Sequence, residues 1–532
     1  MLDAESLDAE SLWQLIERRA EADPERELLV DSGGSRMTNR EYRDAALRTA
    51  AGLHDLGVRA GTVVSWQLPT WNAGYVLMAA LSRLGAVQNP IIPIYRDREV
   101  GFIIRQIAPE VVITPSEFGG FDFAAMIARL TEGTATRHLA ADRTLPEGDP
   151  AVLPDYQAPA ERELRWYFYS SGTTADPKGA RHTDTAILAA ARGMHACLEL
   201  TAEDINGMAF PLTHVAGPIW LASSLMAGLS NVLLDRFDPA AAVDLFGREK
   251  VTLGGSGTPF HLAYLKAQRE FAKTRPGERA FPSFRLCNGG GAPRPPTLHA
   301  QIRDEVGGLG VIAGWGLTEA PILTMSTVHD PQSALDDSEG RAMPGVELRV
   351  VTLEGKLAEP GEEGELRAKA PQLMLGYVDA ALDADAFDAD GYFRTGDLGT
   401  VDAEGFVRIT GRLKDIIIRK GENISAKEIE DLLFTHPRVA EAAVIGLPDA
   451  ERGERVCAVV VVAEGAERAQ GPEGAEGADD TAPLGFAEMV AFLKAAGLTT
   501  HKLPEQLEVV DGLPRNPTGK VVKRDLVARF RD

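Results

Sequence analysis

The stretch YFYSSGTTADPKGARHTD, residues 167–184, places hydroxyl side chains, glycines and one lysine directly after an aromatic-rich run. Gly172 allows a ligand to approach the backbone closely, and Lys178 supplies a point charge beyond the bend at Pro177. Such a set can surround phosphate oxygens with neutral hydrogen bonds and one cation. The candidate phosphate ligands are Ser170, Ser171, Gly172, Thr173, Thr174 and Lys178. Taken alone, the stretch fits either a phosphate-binding loop or a polar surface loop.

The composition of the whole chain narrows the class of ligand. No Gly-Lys-Ser/Thr triplet occurs anywhere, so the stretch is not a Walker A loop. The 532 residues are 44% hydrophobic and 25% charged, as in an ordinary globular protein. The formal charge of −23 disfavours nucleic acid and anionic membranes as partners, because their phosphates would repel the chain. A polyanionic ligand must therefore be held by local basic residues.

The ends of the chain and its cysteines indicate the compartment. The N-terminus, MLDAESLDAE, is acidic where a signal peptide would be basic. No apolar run approaches the roughly 20 residues that cross a bilayer. Cys197, Cys287 and Cys457 are far apart and lack CxxC spacing, which favours small core residues in a reducing compartment. We therefore predict a cytoplasmic protein without integral membrane association.

From Thr38 onward, helix and strand signals alternate. Thr38 and Glu41 have capping-box spacing before a helical pattern that ends at Gly57. Residues 62–68 then have the composition of a strand, and the next helical pattern ends at Gly85. This alternation is typical of helices packed on a largely parallel sheet.

The pattern changes near residue 411. Residues 392–424 contain short alternating strands with Gly and Asp turns, which indicates antiparallel hairpins. Ser425 and Glu428 then repeat the capping-box spacing before another helix. The last part of the chain, about 120 residues, has the size of a normal small domain, and we expect a compact α+β unit.

Four further motifs follow the opening stretch in order. They are GWGLTEA (314–320), GYFRTGDLG (391–399), GRLKDIIIRKGENISAKEIE (411–430) and LPRNPTGKVVKRDL (513–526). With the opening stretch they make the chain resemble the superfamily of adenylate-forming enzymes, which includes acyl-CoA synthetases, nonribosomal adenylation domains and luciferases. The resemblance covers essentially the whole chain, from residue 12 to its end.

The resemblance implies an α/β fold with two domains. A large N-terminal adenylation domain of sheets flanked by helices, of the five-layer type, would span residues 1–411 and hold ATP and the acyl group. A small mobile α+β C-terminal domain, residues 412–532, would carry the hinge and the catalytic lysine. Lys414 lies at the family's hinge position. Gly421 lies in KGENI (420–424), which resembles the loop that swings in beside the pantetheine arm of coenzyme A.

The resemblance also implies catalytic roles. Lys520 matches the lysine that bridges the substrate carboxylate and the α-phosphate, where charge grows in the transition state. Thr318 and Glu319 match the pair whose hydroxyl contacts phosphate and whose carboxylate holds Mg²⁺, a hard ion that prefers oxygen ligands. His214 matches a position near the acyl carboxylate that gates the thiol tunnel. A lone histidine of this kind also fits a buried core residue.

Nucleotide-binding positions are assigned in the same way. Asp397 matches the aspartate that accepts hydrogen bonds from the ribose hydroxyls, and Arg412 lies on the ribose side. Trp315 replaces the usual tyrosine and would stack on adenine. The segment on the other side of the adenine corresponds to Gly290, Gly291 and Ala292. Ala175 replaces a family glycine in the opening stretch, and its Cβ disfavours a left-handed turn there.

The implied function is that of an AMP-forming carboxylate–CoA ligase. It would activate a small carboxylic acid with ATP to acyl-AMP, release pyrophosphate and transfer the acyl group to coenzyme A, with Mg²⁺ as cofactor. One alternative is an enzyme that hands the acyl group to a carrier protein or a separate ligase; another is a catalytically silent nucleotide-binding regulator. The N-terminal part resembles the cyclohexanecarboxylate and fatty-acid CoA ligase branch. Alicyclic, polycyclic, aryl and medium-chain fatty acids all stay open as substrates. A homodimer also stays open as the oligomeric state.

Overall fold

The computed structural model describes residues 7–170, 177–255, 257–292, 294–463, 484–515 and 520–531. It has the predicted α/β fold, with a large N-terminal domain of sheets and helices and a smaller C-terminal domain. Five predicted features of the opening stretch lie outside the described residues: Ser171, Gly172, Thr173, Thr174 and Ala175. No helix within the described ranges is long and apolar enough to cross a bilayer.

The first sheet has nine strands within the described residues. In spatial order they are Arg341–Ala342, Thr324–Met325, Val311–Trp315, Leu286–Gly289, Leu253–Gly254, Ile205–Met208, Ser230–Leu233, Glu27–Asp31 and Arg36–Thr38. The strands from Val311–Trp315 to Glu27–Asp31 pair in parallel, and the pairing becomes antiparallel at both edges. The predicted parallel sheet is thus confirmed.

The second sheet has seven strands in the part of the chain that the structure describes. Their order is Gly376–Tyr377, Lys178–His182, Trp166–Ser170, Val87–Pro90, Val63–Trp66, Val111–Thr114 and Arg137–Ala140. The last five are parallel, and Trp166–Ser170 forms an antiparallel pair with Lys178–His182. Ser170 lies opposite Lys178 in this pair, so the first and last of the candidate phosphate ligands lie on neighbouring strands.

After these two sheets most strands pair antiparallel; the pairs within 392–424 confirm the predicted hairpins, whereas Gln506–Val509 pairs in parallel with Gly453–Val462. Among the described residues, a four-stranded sheet contains Glu347–Val351, Gly364–Lys369, Phe393–Val401 and Val407–Arg412. The C-terminal sheet contains Ile416–Arg419, Glu422–Ser425, Val439–Asp449, Gly453–Val462 and Gln506–Val509. The 3₁₀ turn Leu413–Asp415 joins the two sheets, close to the predicted change of pattern. A small hairpin pairs Glu117–Phe118 with Phe121–Asp122.

Helices connect and flank these strands. Upstream of the turn they are Leu12–Ala22, Asn39–Asp55, Asn72–Leu84, Asp97–Ile107, Phe123–Leu130, Asp184–Leu198, Ala216–Ala227, Pro239–Arg248, Thr258–Thr274, Leu298–Gln301, Gln332–Asp337 and Asp383–Ala386. Downstream they are Ala426–Phe434, Phe486–Ala495 and Lys523–Phe530. Short 3₁₀ or π segments occur at Pro150–Val152, Ile302–Val306, Ala380–Leu382 and Thr500–Lys502.

The two predicted capping boxes have different outcomes. Thr38 Oγ1 accepts from Glu41 N at 3.2 Å, and Glu41 Oε2 accepts from Thr38 N at 2.8 Å, so the first box is complete. In the second, Ser425 Oγ accepts from Glu428 N at 3.4 Å. The Glu428 carboxylate accepts instead from Lys502 Nζ, at 2.7 and 2.9 Å. A cation from a distant segment has displaced the reciprocal half of that box.

The two domains have separate apolar cores. The principal N-terminal core contains the buried indoles of Trp13, Trp66, Trp166 and Trp220. The C-terminal domain packs its helices on its own sheet, with Ile429 and Val444 among the buried residues. Of the cysteines predicted to be core residues, Cys287 and Cys457 are buried, whereas Cys197 is partly exposed at the edge of the principal core.

A buried carboxylate links the N-terminal helix to the strand that leads into the opening stretch. Asp184 accepts from Leu12 N at 3.0 Å and from Trp166 Nε1 at 2.8 Å. Burial raises the pKa of this carboxyl above its ordinary value. Because both donors are themselves buried, Asp184 holds three separate elements in register.

Replacing Asp184 with alanine should destabilise the N-terminal domain. The change leaves the Leu12 and Trp166 N–H groups without their acceptor, and each unsatisfied buried donor costs about 1–3 kcal/mol. We expect the free energy of unfolding to fall by about 2–4 kcal/mol, measured by urea denaturation followed through tryptophan fluorescence. The control is Glu132→Ala at an exposed position. Equal losses in the two variants would contradict the linking role of Asp184.

Candidate active site

A cleft of about 490 Å³ lies between the N-terminal and C-terminal domains. Its lining combines residues that are hundreds of positions apart in the sequence. Eight predicted site residues line it: Gly290, Gly291, Ala292, Trp315, Asp397, Arg412, Lys414 and Lys520. His214 and Thr318 line a smaller neighbouring cavity. The fold therefore brings most of the separate motifs to one place.

Asp397 is a buried carboxylate in the wall of the cleft. Arg412 Nε lies 2.8 Å from Asp397 Oδ1, and Trp315 Nε1 donates to Oδ2 at 2.8 Å. The two partners fix the carboxylate plane, one oxygen each, and leave further lone pairs for a ligand. The sequence predicted the grouping of Asp397 with Arg412 but not the indole contact. The sequence signal for this contact was the tryptophan at 315 in place of the usual tyrosine, since the indole carries an N–H donor.

Gly290 allows two strand ends to approach closely. A Cβ at this position would lie 1.7 Å from the carbonyl oxygen of Gly314, so any side chain would force the strands apart. Gly290 directly follows the strand Leu286–Gly289, and Gly314 lies within the neighbouring strand Val311–Trp315. In the segment predicted to lie beside the adenine, the close approach of the two backbones therefore requires glycine at position 290.

Lys520 reaches this cleft from the C-terminal domain. Burial of its ammonium group, and next the positive charge of Arg412, lowers the pKa of Lys520 to about 8. The carboxylates of Asp397 and Glu319 act in the opposite direction. Lys520 is therefore electrostatically coupled to residues of the N-terminal domain on both sides of the cleft.

His214 is neutral at physiological pH. Burial, reinforced by the charge of Lys520, lowers its pKa to about 4. His214 Nδ1 accepts from Ala216 N at 3.2 Å, so the neutral ring carries its proton on Nε2. The charge of Lys520 thus acts on His214, and the assignment of His214 to the acyl carboxylate stays a prediction.

The Thr318–Glu319 pair lies in a tight turn that donors from two other segments hold. Leu317 and Ala320 close the turn by mutual backbone hydrogen bonds of 3.0 and 3.2 Å. His182 Nε2 donates to Thr318 O at 2.8 Å. Glu319 is buried, and its side chain accepts from Tyr377 Oη at 2.9 Å. The sequence did not identify Tyr377, and it offered His182 only as part of the opening stretch.

Three predicted residues lie at the margin of this arrangement. Ser170 and Lys178 lie opposite each other on paired strands, and Lys178 is exposed with its Nζ 5.5 Å from the Tyr377 ring centroid. Gly421 is exposed and is not among the described residues that line the cleft. Its φ of 82° is left-handed, so the turn itself requires glycine at this position.

The donor set suits a metal ion that arrives with a ligand. The described residues contain no group of three or more His, Cys, Asp or Glu that could form a metal cage. Glu319 supplies one buried carboxylate beside the Thr318 hydroxyl position. Mg²⁺ commonly binds one or two carboxylates while keeping waters and sharing substrate phosphates. The residues present therefore fit Mg²⁺.

Residues 16–378 match the AMP-binding enzyme family, and residues 428–520 match the AMP-binding enzyme C-terminal domain. The chain is 30% identical to the medium-chain fatty-acid–CoA ligase of Escherichia coli (strain K12), over 98% of this chain and 91% of that protein. It is 31% identical to the salicyl-AMP ligase / salicyl-S-ArCP synthetase of Mycobacterium tuberculosis (strain ATCC 25618 / H37Rv), over 95% and 88%. The solved structure of ATP-bound MatB from Rhodopseudomonas palustris aligns with a TM-score of 0.84 and 28% identity, over 98% and 99% of the chains.

The buried state of His182 should make stability depend on pH. Burial lowers the pKa of His182 to about 4, whereas an unfolded histidine titrates near 6.5. Between these two pKa values the unfolded chain binds one more proton than the folded chain. The contribution of neutral His182 to the free energy of unfolding is therefore complete above about pH 6.5 and is lost as the pH falls towards 4. The slope is about 1.4 kcal/mol per pH unit.

His182→Gln keeps a side-chain N–H donor but does not titrate. The loss of unfolding free energy between pH 7 and pH 5 should therefore be smaller in this variant by about 2 kcal/mol. Urea denaturation at the two pH values measures it, with exposed His501→Gln as the control. An unchanged difference in His182→Gln would show that His182 is not buried in its neutral form.

Proposed function

Because the chain belongs to the AMP-binding enzyme family and is an adenylate-forming enzyme, we propose that it is an AMP-forming carboxylate–CoA ligase. It activates a carboxylic acid with ATP as acyl-AMP, releases pyrophosphate, and transfers the acyl group to coenzyme A. The observation that carries this proposal is the position of Lys520. A lysine of the C-terminal domain lies in one cleft with Asp397 of the N-terminal domain and with Arg412 at the boundary between the two domains.

In the first half-reaction, a carboxylate oxygen attacks the α-phosphorus of ATP. The new C–O–P bond forms as the bond to the β-phosphate breaks, and pyrophosphate leaves with the electron pair. Two anions must approach each other, and the Lys520 ammonium lies where it can neutralise the charge that grows between them. Glu319 would hold Mg²⁺, which neutralises phosphate charge when bound.

Asp397, Arg412 and Trp315 would form the nucleoside end of the site. Asp397 accepts hydrogen bonds from the ribose hydroxyls through the lone pairs that Arg412 and Trp315 do not use. The Trp315 ring and the segment of Gly290, Gly291 and Ala292 flank the adenine. Lys178 and Ser170, with the hydroxyl groups between them, bind the phosphates that leave.

In the second half-reaction, the thiol sulfur of coenzyme A attacks the acyl carbonyl. The C–S bond forms, the C–O bond to AMP breaks, and AMP leaves. We propose that Lys520 covers the acyl carbonyl during adenylation, and that the mobile unit, residues 412–532, therefore rotates against residues 1–411 before the thiol attacks. Lys414 lies in the short turn that joins the two sheets, where a small change of backbone angles moves the whole unit. The rotation would bring Gly421 to the pantetheine arm.

The runner-up function is acyl transfer to a carrier protein. The relative named salicyl-AMP ligase / salicyl-S-ArCP synthetase supports it, because that chain is as similar to this one as the CoA ligase is. Both functions use the same adenylation site. They differ only in the acceptor, so an assay that separates the two half-reactions distinguishes them.

The decisive experiment is a carboxylic-acid panel assayed separately for pyrophosphate release and for coenzyme A consumption. We expect at least one alicyclic, aryl or medium-chain acid to support both. Lys520→Ala is the matched control; it should lose acid-dependent pyrophosphate exchange by more than about 100-fold, since a charge used in the transition state is removed. It should still form thioester from supplied acyl-AMP. Pyrophosphate release without coenzyme A consumption would favour the carrier-protein alternative.

The rate of adenylation should fall at alkaline pH. Lys520 is required in its protonated form, and its pKa of about 8 lies within the accessible range. The value of kcat/KM for ATP reports the free enzyme and should therefore decrease about tenfold per pH unit above this pKa. Pyrophosphate exchange without coenzyme A is the proper measurement, because thiols ionise near pH 8.5.

Lys520→Arg provides the test of that assignment. Guanidinium stays protonated throughout the range, so the alkaline limb should disappear even though the maximal rate is lower. A limb that stays at the same pH in Lys520→Arg would assign the titration to another group.

A further inference from the structure

We propose that Tyr377 is a positioning residue for Glu319, the carboxylate assigned to Mg²⁺. The inference rests on the proposed function, because it concerns the metal that accompanies ATP. Tyr377 belongs to none of the five motifs that the sequence singled out. It is found only from the packing of one short edge strand, Gly376–Tyr377, against the strand Lys178–His182.

The first support is a buried hydrogen bond. Tyr377 Oη lies 2.9 Å from Glu319 Oε1, and the side chains are 5% and 8% exposed. The Tyr377 hydroxyl donates in this contact, and the Glu319 carboxylate accepts. One Glu319 oxygen is fixed in place by this contact.

The second support is a backbone contact from the same segment. Met374 N donates to the carbonyl oxygen of Glu319 at 2.9 Å. Residues 374–377 therefore hold both the main chain and the side chain of Glu319. A glutamate held at its main chain and at one carboxylate oxygen loses little further conformational freedom when it binds a cation, which favours a single metal-binding geometry.

The third support is the position of the Tyr377 ring relative to Lys178. The Lys178 ammonium lies 5.5 Å from the ring centroid, within the range of a cation–π contact. Strand pairing sets this distance, because Tyr377 lies opposite Ala180, two residues after Lys178. The same side chain thus contacts the phosphate-loop cation through its face and Glu319 through its hydroxyl. The residue assigned to the metal and the residue assigned to phosphate thus both contact Tyr377.

Tyr377→Phe removes the hydroxyl and keeps the ring, so it isolates the contact with Glu319. Groups that orient a metal ligand typically affect metal affinity 10-fold to 100-fold. We expect the Mg²⁺ concentration for half-maximal pyrophosphate exchange to rise about tenfold, with the rate at saturating Mg²⁺ changed by less than about twofold. A residue with a merely structural role would lower the rate at every Mg²⁺ concentration.

Tyr392→Phe is a matched control. Tyr392 Oη lies 3.0 Å from Glu347 Oε2, and Lys369 Nζ lies 4.5 Å from its ring centroid. The same three groups, a tyrosine, a glutamate and a lysine, thus occur together outside the cleft, with Glu347 exposed and Tyr392 and Lys369 half-buried. This variant should leave the Mg²⁺ dependence unchanged.

A binding measurement gives a readout that does not need turnover. In a Lys520→Ala background, isothermal titration calorimetry compares ATP binding with Mg²⁺ and with EDTA. Tyr377→Phe should weaken Mg²⁺-dependent ATP binding about tenfold and leave binding in EDTA unchanged. In a Glu319→Gln background the same change should have no further effect, because the partner carboxylate is gone.

Three outcomes would overturn the inference: an unchanged Mg²⁺ dependence in Tyr377→Phe, an equal loss of binding in EDTA, or an undiminished effect in the Glu319→Gln background. Thermal unfolding of each variant identifies a folding defect. Failure of the proposed function has another signature, because the wild-type protein would then show no acid-dependent pyrophosphate exchange. The calorimetric comparison still tests Tyr377 in that case.

Discussion

The ion pair between Asp397 and Arg412 organises the centre of the molecule. It joins two strands of the four-stranded sheet at the point where the chain leaves that sheet for the C-terminal domain. The Asp397 carboxylate also accepts a hydrogen bond from the indole N–H of Trp315, which belongs to the nine-stranded sheet. The Arg412 guanidinium lowers the pKa of Lys520. A single buried carboxylate thus connects two N-terminal sheets with the lysine of the C-terminal domain. The ion pair itself lies within one sheet, and Trp315 and Lys520 connect it to the nine-stranded sheet and to the C-terminal domain.

Much of the fold follows from local sequence signals. Alternating helix and strand patterns predict the parallel sheets, and the short alternating strands of 392–424 predict the antiparallel hairpins there. Thr38 and Glu41 form their capping box because both partners lie within one helical turn. Such features depend on neighbours along the chain, so one sequence is enough to find them. The ordered motifs likewise identify most residues of the cleft, from Gly290 to Lys520.

Contacts between distant segments are where sequence reasoning stops. Nothing near Ser425 indicates that Lys502 takes the Glu428 carboxylate, and nothing near Glu319 indicates Tyr377. Both contacts join segments that only the pairing of strands and the packing of helices bring together. Gly421 shows a different limit, since its left-handed φ explains the glycine without any ligand. A residue type can satisfy a backbone requirement and resemble a binding residue at once.

The turn Leu413–Asp415 follows Arg412 directly, with no spacer between the ion pair and the joint. Any reorientation of the C-terminal domain therefore pulls on the guanidinium that restrains Asp397. Thermodynamic linkage makes this influence reciprocal: a ligand that engages Asp397 must bias the domain orientation as strongly as the orientation biases that ligand's affinity. Ligand binding at the proposed ribose site and the orientation of the C-terminal domain would then belong to one coupled equilibrium.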